Sequence, residues 1–600
     1  MTDEWGVAPG WIDPDGVAHR SSADGLARLR SVVQVAEPPA GVRFPVVTRP
    51  GRDVGIHGVL ELEDGGEIPL ARRVPDDCAP GYHVVHEVTG PRPFIVCPPR
   101  CVRPSRSQWG WCAQLHEVRS ARSWGIGDLG DLRALRQWAA SVGAEFVLIN
   151  PLHAVAPLVP QEPCPYYPTS RRFLNPIYLR VEDVPGAGSA ELPLAERGVA
   201  LNASAGIDRD AVWELKIAAL RAVYGRWVPG PEFTAWRHRQ GQALEDFATW
   251  CALAGTQGAS WRSWPAPLRR PDAPGLPAFR REAATEITFW AWLQWLVRSQ
   301  LDAGPSQVSV VHDLPVGFAP DGFDAWCWQD LLAAGVSIGA PPDRLAPAGQ
   351  NWGVAPFVPA RLRAAGYQPF IDSIRGAIAQ GGGLRIDHIM GFMRLWWIPD
   401  SLSAADGAYV HYPMDDLFDL LCLESVRAQA TVIGEDLGTV EPAVRSAMHT
   451  RGILSSRVLW FEDQEPADWP IDALGTVSTH DLPTIAGVWS GTDAADQLSS
   501  GVPPTGVAET EALRRRLQDL PGATPAADTA AITVAAHTAL SRAPCLMVGA
   551  SVQDGLGVAV RSNIPGTVKR ANWSRALPIA LEEFDNCDLI SGIAAVMRHS

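Results

Sequence analysis

Leu384-Arg385-Ile386-Asp387-His388 is a short apolar run that ends on a carboxylate and an imidazole. Val432-Ile433-Gly434-Glu435-Asp436-Leu437-Gly438 repeats the pattern, and Val477-Ser478-Thr479-His480-Asp481-Leu482-Pro483-Thr484 repeats it again. Working outward, comparable short runs lie at 109–118, 146–150, 308–312, 430–433, 457–461, 476–478 and 545–550, which with 384–388 make eight. Most end in polar residues and lead toward helix-like segments. That rhythm predicts an α/β fold, a TIM-type (β/α)8 barrel, whose chemistry sits at the C-terminal strand ends.

The gap between the second and third runs is too long for one helix. Residues about 185–305 read as a helical insertion, rich in tryptophan, with Phe289, Trp292, Leu293 and Leu296 at helix-core spacing. Packing rather than ligand contact is the expected job of these rings. Residues 1–102 differ. A weak helix over 24–33 precedes β-type runs at 44–48, 54–62, 82–89 and 94–96, separated by turn clusters such as Glu63-Asp64-Gly65-Gly66. This predicts a small β-rich, sandwich-like accessory domain. Pro98-Pro99 and Pro104 suggest a linker to a catalytic barrel spanning 103–600.

Composition narrows the function. The chain has 600 residues and is 46% hydrophobic, which excludes wholesale disorder. A net charge of -15 argues against a nucleic-acid partner. Only two of the cations, Lys216 and Lys569, are lysines, so little lysine chemistry is available. The longest apolar stretch, 287–297, is broken by Thr288 and Gln294, so no membrane partner is expected. The acidic start Met-Thr-Asp-Glu-Trp has no apolar stretch after it, as expected of a cytoplasmic chain without a signal peptide. The ten cysteines are scattered and lack any CxxC, which predicts free buried thiols.

Two familiar patterns are set aside. Gly125-Ile126-Gly127-Asp128-Leu129-Gly130 fits G-x-G-x-x-G, but no apolar strand precedes it and Asp128 would oppose a pyrophosphate. Gly335-Val336-Ser337-Ile338-Gly339 fits a nucleophile elbow, which needs a strand before and a helix after. Residues 328–334 look helical instead, and Pro341-Pro342 follows. No Walker motif, HExxH or calcium loop is present, and no metal or other cofactor is expected.

The three acidic strand ends are the stronger signal. One alone reads as a buried ion pair or a helix cap. Three at one rim repel one another, and function must explain the cost. Glycosidic cleavage by the retaining route needs a nucleophilic carboxylate and a proton-donating one about 5–5.5 Å apart. Arg385 lies two residues before Asp387, on the same face of a strand, and a guanidinium favours the ionised nucleophile. Glu435 adjoins Asp436, a like charge that would raise its pKa as an acid requires. Asp481 is the third member, suited to holding ring hydroxyls, and His388 and His480 are natural donors to them.

With these residues the chain resembles the 4-alpha-glucanotransferases (amylomaltases or disproportionating enzymes) of glycoside hydrolase family 77, over roughly residues 105–600. Further motifs carry the resemblance: Ser123-Trp124-Gly125-Ile126-Gly127-Asp128-Leu129, Asn150-Pro151-Leu152-His153-Ala154, Pro165-Tyr166, Ser170-Arg171-Arg172-Phe173-Leu174-Asn175-Pro176 and Gly349-Gln350-Asn351-Trp352-Gly353. The resemblance implies that Asp387 is the nucleophile, Glu435 the acid/base and Asp481 the transition-state stabiliser. It implies substrate contacts for Tyr166, Asp321, Gln350, Arg385, His388 and His480, with Trp352 on a mobile loop covering the glucan. Maltooligosaccharides and α-1,4-glucans are the implied partners.

Departures exist. Gly322-Phe323 stands where many members have Ser-Ala, which predicts an altered acceptor side, and Gln553 stands where Glu is usual. Two alternatives are a hydrolase using the same site, and a glucan-binding protein that has lost catalysis. The second predicts a lost acid, and none of the three is lost. Oligomeric state is not legible.

Overall fold

Four- to six-residue apolar runs cannot stand alone as strands; they persist by pairing and by burial on both faces. The computed structural model describes residues 2–598 apart from 14–15, 36–42, 305–306, 344–345, 347, 379–380, 503, 522, 524–526 and 568–569. Eight strands close a barrel in chain order. They are β1 Gln108–Ala113, β2 Phe146–Ile149, β3 Ser309–Leu314, β4 Gly383–Ile386, β5 Thr431–Gly434, β6 Leu454–Val458, β7 Ala473–Thr476 and β8 Met547–Ser551. Their pairings are parallel.

The expected barrel is therefore present, with three adjustments. The run at 109–118 splits into β1 and a 3-10 turn, Leu115–Glu117. The sixth and seventh strands begin about three residues before the apolar runs that predicted them. In β6 the buried Ser456 hides the pattern, because its N–H bonds the carboxylate of Asp436 at 2.8 Å. In β7, Gly475 offers no side chain, and a Cβ there would stand 3.1 Å from the Trp469 ring.

The chain divides into two compact units. One comprises Met1–Ser105, Leu314–Gly317 and Trp328–Ser456; the other comprises Arg106–Asp313, Phe318–Cys327 and Arg457–Ser600.

In the first unit, five strands form one sheet in the order Val46–Thr48, Gly90–Val96, Gly81–Glu87, Asp53–Glu61, Glu67–Arg73. Leu60, Leu70, Val85 and Phe94 make its core. A two-sheet sandwich was the expectation for 1–102; among the described residues there is one sheet here, beside a small hairpin. Alternation along a strand reports a buried face but not what covers it. The sheet meets the helix Met414–Ala428. Arg49 bonds Asp419 at 2.5 Å, the Tyr82 hydroxyl donates to Glu424 at 2.5 Å, and Arg427 pairs with Glu63. The prolyl segment after the sheet is also tied down, since Val102 bridges to Thr431 at the start of β5.

A second sheet of this unit has the order Gln350–Val354, Val336–Ala340, Arg394–Pro399, Ala408–His411. The G-x-S-x-G pattern is thus an antiparallel strand with no nucleophile elbow. The turn before it is not helical, contrary to expectation: only a short helix, Phe323–Cys327, precedes 328–334. The hairpin Gly10–Ile12/Ala18–Arg20 packs here through Trp11, whose ring meets Trp396 edge-on at 4.8 Å.

In the second unit, helices Leu192–Ala200, Arg209–Tyr224, Pro231–Gln257, Leu276–Glu282 and Ala284–Asp302 lie between β2 and β3. Trp250, Trp264, Trp290 and Trp292 are buried among them, as are Phe289, Leu293 and Leu296. The G-x-G-x-x-G segment starts a helix, Leu129–Ser141. Asp128 is its N-cap in a capping box with Asp131. The buried Arg180 and Lys216 neutralise both acids. Among the described residues no helix is long and apolar enough to cross a membrane, and all ten cysteines are free.

Candidate active site

Each predicted acid follows the C-terminal end of a barrel strand: Asp387 after β4, Glu435 after β5, Asp481 in the turn after β7. In the first unit β4 and β5 pair in register, with Ile386 opposite Gly434. Asp387 and Glu435 are therefore the next residues on adjacent parallel strands, which run about 4.7–4.9 Å apart. The Asp387 N–H bonds the carbonyl of Leu314, the last residue of β3, at 3.0 Å, and the Glu435 N–H bonds Ile386 at 2.9 Å. Strand hydrogen bonding thus continues into both acidic residues and fixes their backbones.

Arg385 donates to the Asp387 carboxylate at 3.2 Å. The two Glu435 oxygens each accept one backbone N–H, from His388 at 2.9 Å and Leu437 at 2.7 Å. His388 reaches that position through a left-handed backbone, φ 50°. Burial pushes the Glu435 pKa up; Arg385 and the two N–H groups oppose it, and Asp436 adds only a minor push. This corrects the expectation that Asp436 is the cause. Asp436 is itself buried, bonded to Arg445 and to the N–H of Ser456. Burial and the nearby Arg394 push His388 down to about 4, which keeps it neutral at neutral pH.

Trp352 lies 5.2 Å from the His388 ring, edge-on. It sits in the edge strand Gln350–Val354 rather than on the mobile loop expected, and its indole N–H bonds the Gln350 side chain at 3.1 Å. The antiparallel ladder to Val336–Ala340 makes this segment a strand, with a register shift at Trp352-Gly353.

In the second unit Tyr166 stacks on His480 at 4.5 Å. Its hydroxyl donates to Asp313 at 2.7 Å and meets His480 Nδ1 at 3.1 Å. One hydroxyl proton serves one acceptor, so Nδ1 of His480 is the donor to Tyr166. The other ring nitrogen lies 3.4 Å from Asp481. Asn563 donates to the Asp481 carboxylate at 2.6 Å, and Arg561 to its carbonyl at 2.8 Å.

Asp313, Arg561 and Asn563 escaped the sequence reading. Asp313 carried the same signal as the others, a carboxylate closing an apolar run, in a strand that ends at Leu314 rather than His312. Asn563 had no spacing signal, because it lies 82 residues from its partner. Asp321 stands apart as a half-exposed turn residue paired with Arg262 at 2.8 Å.

The Gly322-Phe323 pair is tightly packed. A Cβ on Gly322 would stand 2.6 Å from the Thr169 backbone, and Phe323 is buried against Phe173 and Phe247. Gln553 donates to Glu117 and to Ser562, each at 2.7 Å.

A closed parallel barrel with carboxylates at its C-terminal strand ends, two of them on adjacent strands, defines an α/β-barrel enzyme of the glycoside-hydrolase type. Comparison with known proteins narrows the class. The chain belongs to glycoside hydrolase family 77, the 4-alpha-glucanotransferases, whose family model matches residues 113–581. A 4-alpha-glucanotransferase of Mycobacterium tuberculosis is 41% identical over 558 residues, covering 83% of this chain and 76% of that protein. The crystal structure of amylomaltase from Corynebacterium glutamicum superposes with a TM-score of 0.86 at 30% identity, covering 99% of this chain and 98% of that one. An amylomaltase from Streptococcus agalactiae in complex with acarbose shares the fold, with a TM-score of 0.65 at 16% identity over 82% of this chain and all of that one. The activity is accordingly 4-alpha-glucan transfer.

Proposed function

We propose that this chain transfers α-1,4-glucan segments by double displacement, with Asp387 as nucleophile, Glu435 as acid/base and Asp481 as transition-state stabiliser. The observation that carries the reading is the register of β4 and β5. Side chains that start from neighbouring positions on adjacent strands can bring their carboxyl groups to the separation of about 5–5.5 Å that a retaining pair needs. Glu435, its proton retained by burial, protonates the departing glycosidic oxygen while Asp387 attacks the anomeric carbon. A β-linked glucosyl-enzyme results. The 4-hydroxyl of an acceptor glucan then attacks that carbon, Glu435 takes its proton, and Asp387 leaves. Two inversions give net retention.

Arg385 donates to the Asp387 carboxylate and balances its charge. Tyr166, His388, His480 and Asp313 hold sugar hydroxyls, and Gln350 and Trp352 border the glucan. Asp321, half-exposed and paired with Arg262, serves the sugar only at a more distant position. Maltooligosaccharides are the proposed substrates and the cytoplasm the proposed compartment, in keeping with ten free thiols.

Incubation with maltotriose alone tests the reading. Glucose together with maltopentaose and longer chains is the expected product ladder. Only shorter products would mean that water is the acceptor. Asp387→Asn is expected to abolish turnover while glucan binding survives; near-parental turnover would overturn the assignment of Asp387.

A further inference from the structure

Among the described residues of the second unit, Trp573 is the one non-glycine with a positive φ, 60°. A bulky side chain in the left-handed region is strained, and such strain persists only where surroundings enforce it. The enforcement is visible. The Trp573 N–H bonds the Ser562 carbonyl at 2.8 Å, and Arg209 donates to the Trp573 carbonyl at 2.5 Å. Before it, Asn572 accepts from the N–H of Ile564 at 3.2 Å and from Arg570 at 2.6 Å. Ser562 is anchored in turn, its hydroxyl donating to the buried Glu117 at 2.5 Å.

The strain aims the indole. Trp573 is 3% exposed, with its ring centroid 5.5 Å from Tyr166 and 5.4 Å from His480. It therefore leans on both members of the stack that faces Asp481, while being too covered to touch a sugar. The same anchored segment presents Asn563 to Asp481.

We propose that Trp573 is a positioning residue. Its left-handed backbone drives the indole against Tyr166 and His480 and holds that stack in the geometry the transition-state sugar requires. The inference rests on the reading of Tyr166 and His480 as sugar-holding groups. It assigns no chemistry to Trp573.

Trp573→Leu removes the flat ring; Trp573→Phe keeps one. Misplacing a reacting geometry by about an ångström costs about a hundredfold in rate. The expected result for Trp573→Leu is a loss of about tenfold to a hundredfold in kcat with KM changed less than threefold, and partial rescue in Trp573→Phe. A Trp573→Leu protein that folds and keeps kcat within twofold of the parent would overturn the proposal. So would a loss that Phe does not rescue at all.

A double-mutant cycle with His480→Ala supplies the second readout, taken on both kcat and the unfolding midpoint. Positioning through His480 predicts that Trp573→Leu adds little to His480→Ala. Fully multiplicative losses would overturn it. If instead Asp387→Asn or His480→Ala left turnover intact, the reading of the active site would fail, while coupling in the unfolding midpoint would still report whether Trp573 holds His480.

Discussion

At the scale of single residues, the same polypeptide raises one carboxyl pKa for use and another at a cost to stability. Glu435 is raised by burial and held down by Arg385 and two N–H groups. Removing the guanidinium removes an opposing influence. Arg385→Gln is therefore expected to move the alkaline limb of the kcat/KM profile to higher pH, because Glu435 keeps its proton longer. Turnover should fall about a hundredfold at the same time, since Asp387 loses its charge partner. An alkaline limb that stayed in place or moved down would contradict the role given to Glu435. Asp554 is the counterpart. It is buried; one oxygen accepts from the N–H of Ile485 at 2.9 Å, and the other has no partner among the described residues. Burial raises its pKa from 3.8 to about 7. A folded pKa above the unfolded one gives stability that is full below pH 4 and lost as pH climbs through 7, on the order of 4 kcal/mol. Asp554→Asn is expected to abolish that slope, so its unfolding midpoint should gain on the parent between about pH 4 and 7 and level off above. A constant difference across that range would show that Asp554 does not titrate as a buried acid.

At the scale of elements, the sheet bearing Gln350 and Trp352 is what a barrel reading leaves over. Transfer succeeds over hydrolysis only while water is kept from the glucosyl-enzyme, and we propose that the indole of Trp352, 5.2 Å from the His388 ring, is part of that barrier. Trp352→Ala is expected to raise the share of hydrolysis several-fold and lower kcat/KM about tenfold, measured as glucose released against longer products from maltotriose. An unchanged transfer share would remove Trp352 from the barrier. The barrel itself was largely legible. Apolar runs such as 384–388 and 430–433 are continuous because parallel strands are buried on both faces. Where a strand carries Ser455 and Ser456, or Gly475, the signal slides onto the next apolar run, and β6 and β7 were read late. The acids at strand ends were legible for the same reason as the strands, since each closes an apolar run. Asn563 and Trp573 were not, because their roles come from tertiary hydrogen bonds and ring contacts across the chain.

At the scale of the molecule, sequence composition separates residues 1–102 from the rest, but packing does not. The first compact unit joins them to 328–456. Arg49 and Arg451 share Asp419, and Tyr82 and Arg375 share Glu424, so these two acids of the helix Met414–Ala428 each have two partners. Cys101 and Cys422 lie in buried sulfur contact at 3.5 Å, and Val102 pairs with the barrel at Thr431. Excising 1–102 would strip one partner from each of two largely buried carboxylates. Breaking a buried charge pair by removing one member costs about 3–5 kcal/mol, a large fraction of ordinary stability. A chain beginning at residue 103 is therefore expected to unfold well below the parent, and to be cut within 414–428 by protease under conditions the parent resists. Thermal unfolding and limited proteolysis of the two chains side by side measure this. If the shortened chain unfolds at the parental temperature and still builds the maltotriose ladder, residues 1–102 are an accessory domain after all, and the contacts at Asp419 and Glu424 contribute little. If it unfolds early but turnover per folded molecule is unchanged, the N-terminal region braces the barrel without tuning its chemistry. That is the outcome its distance in sequence from every catalytic candidate, and its bonds to the barrel's own helix, lead us to expect.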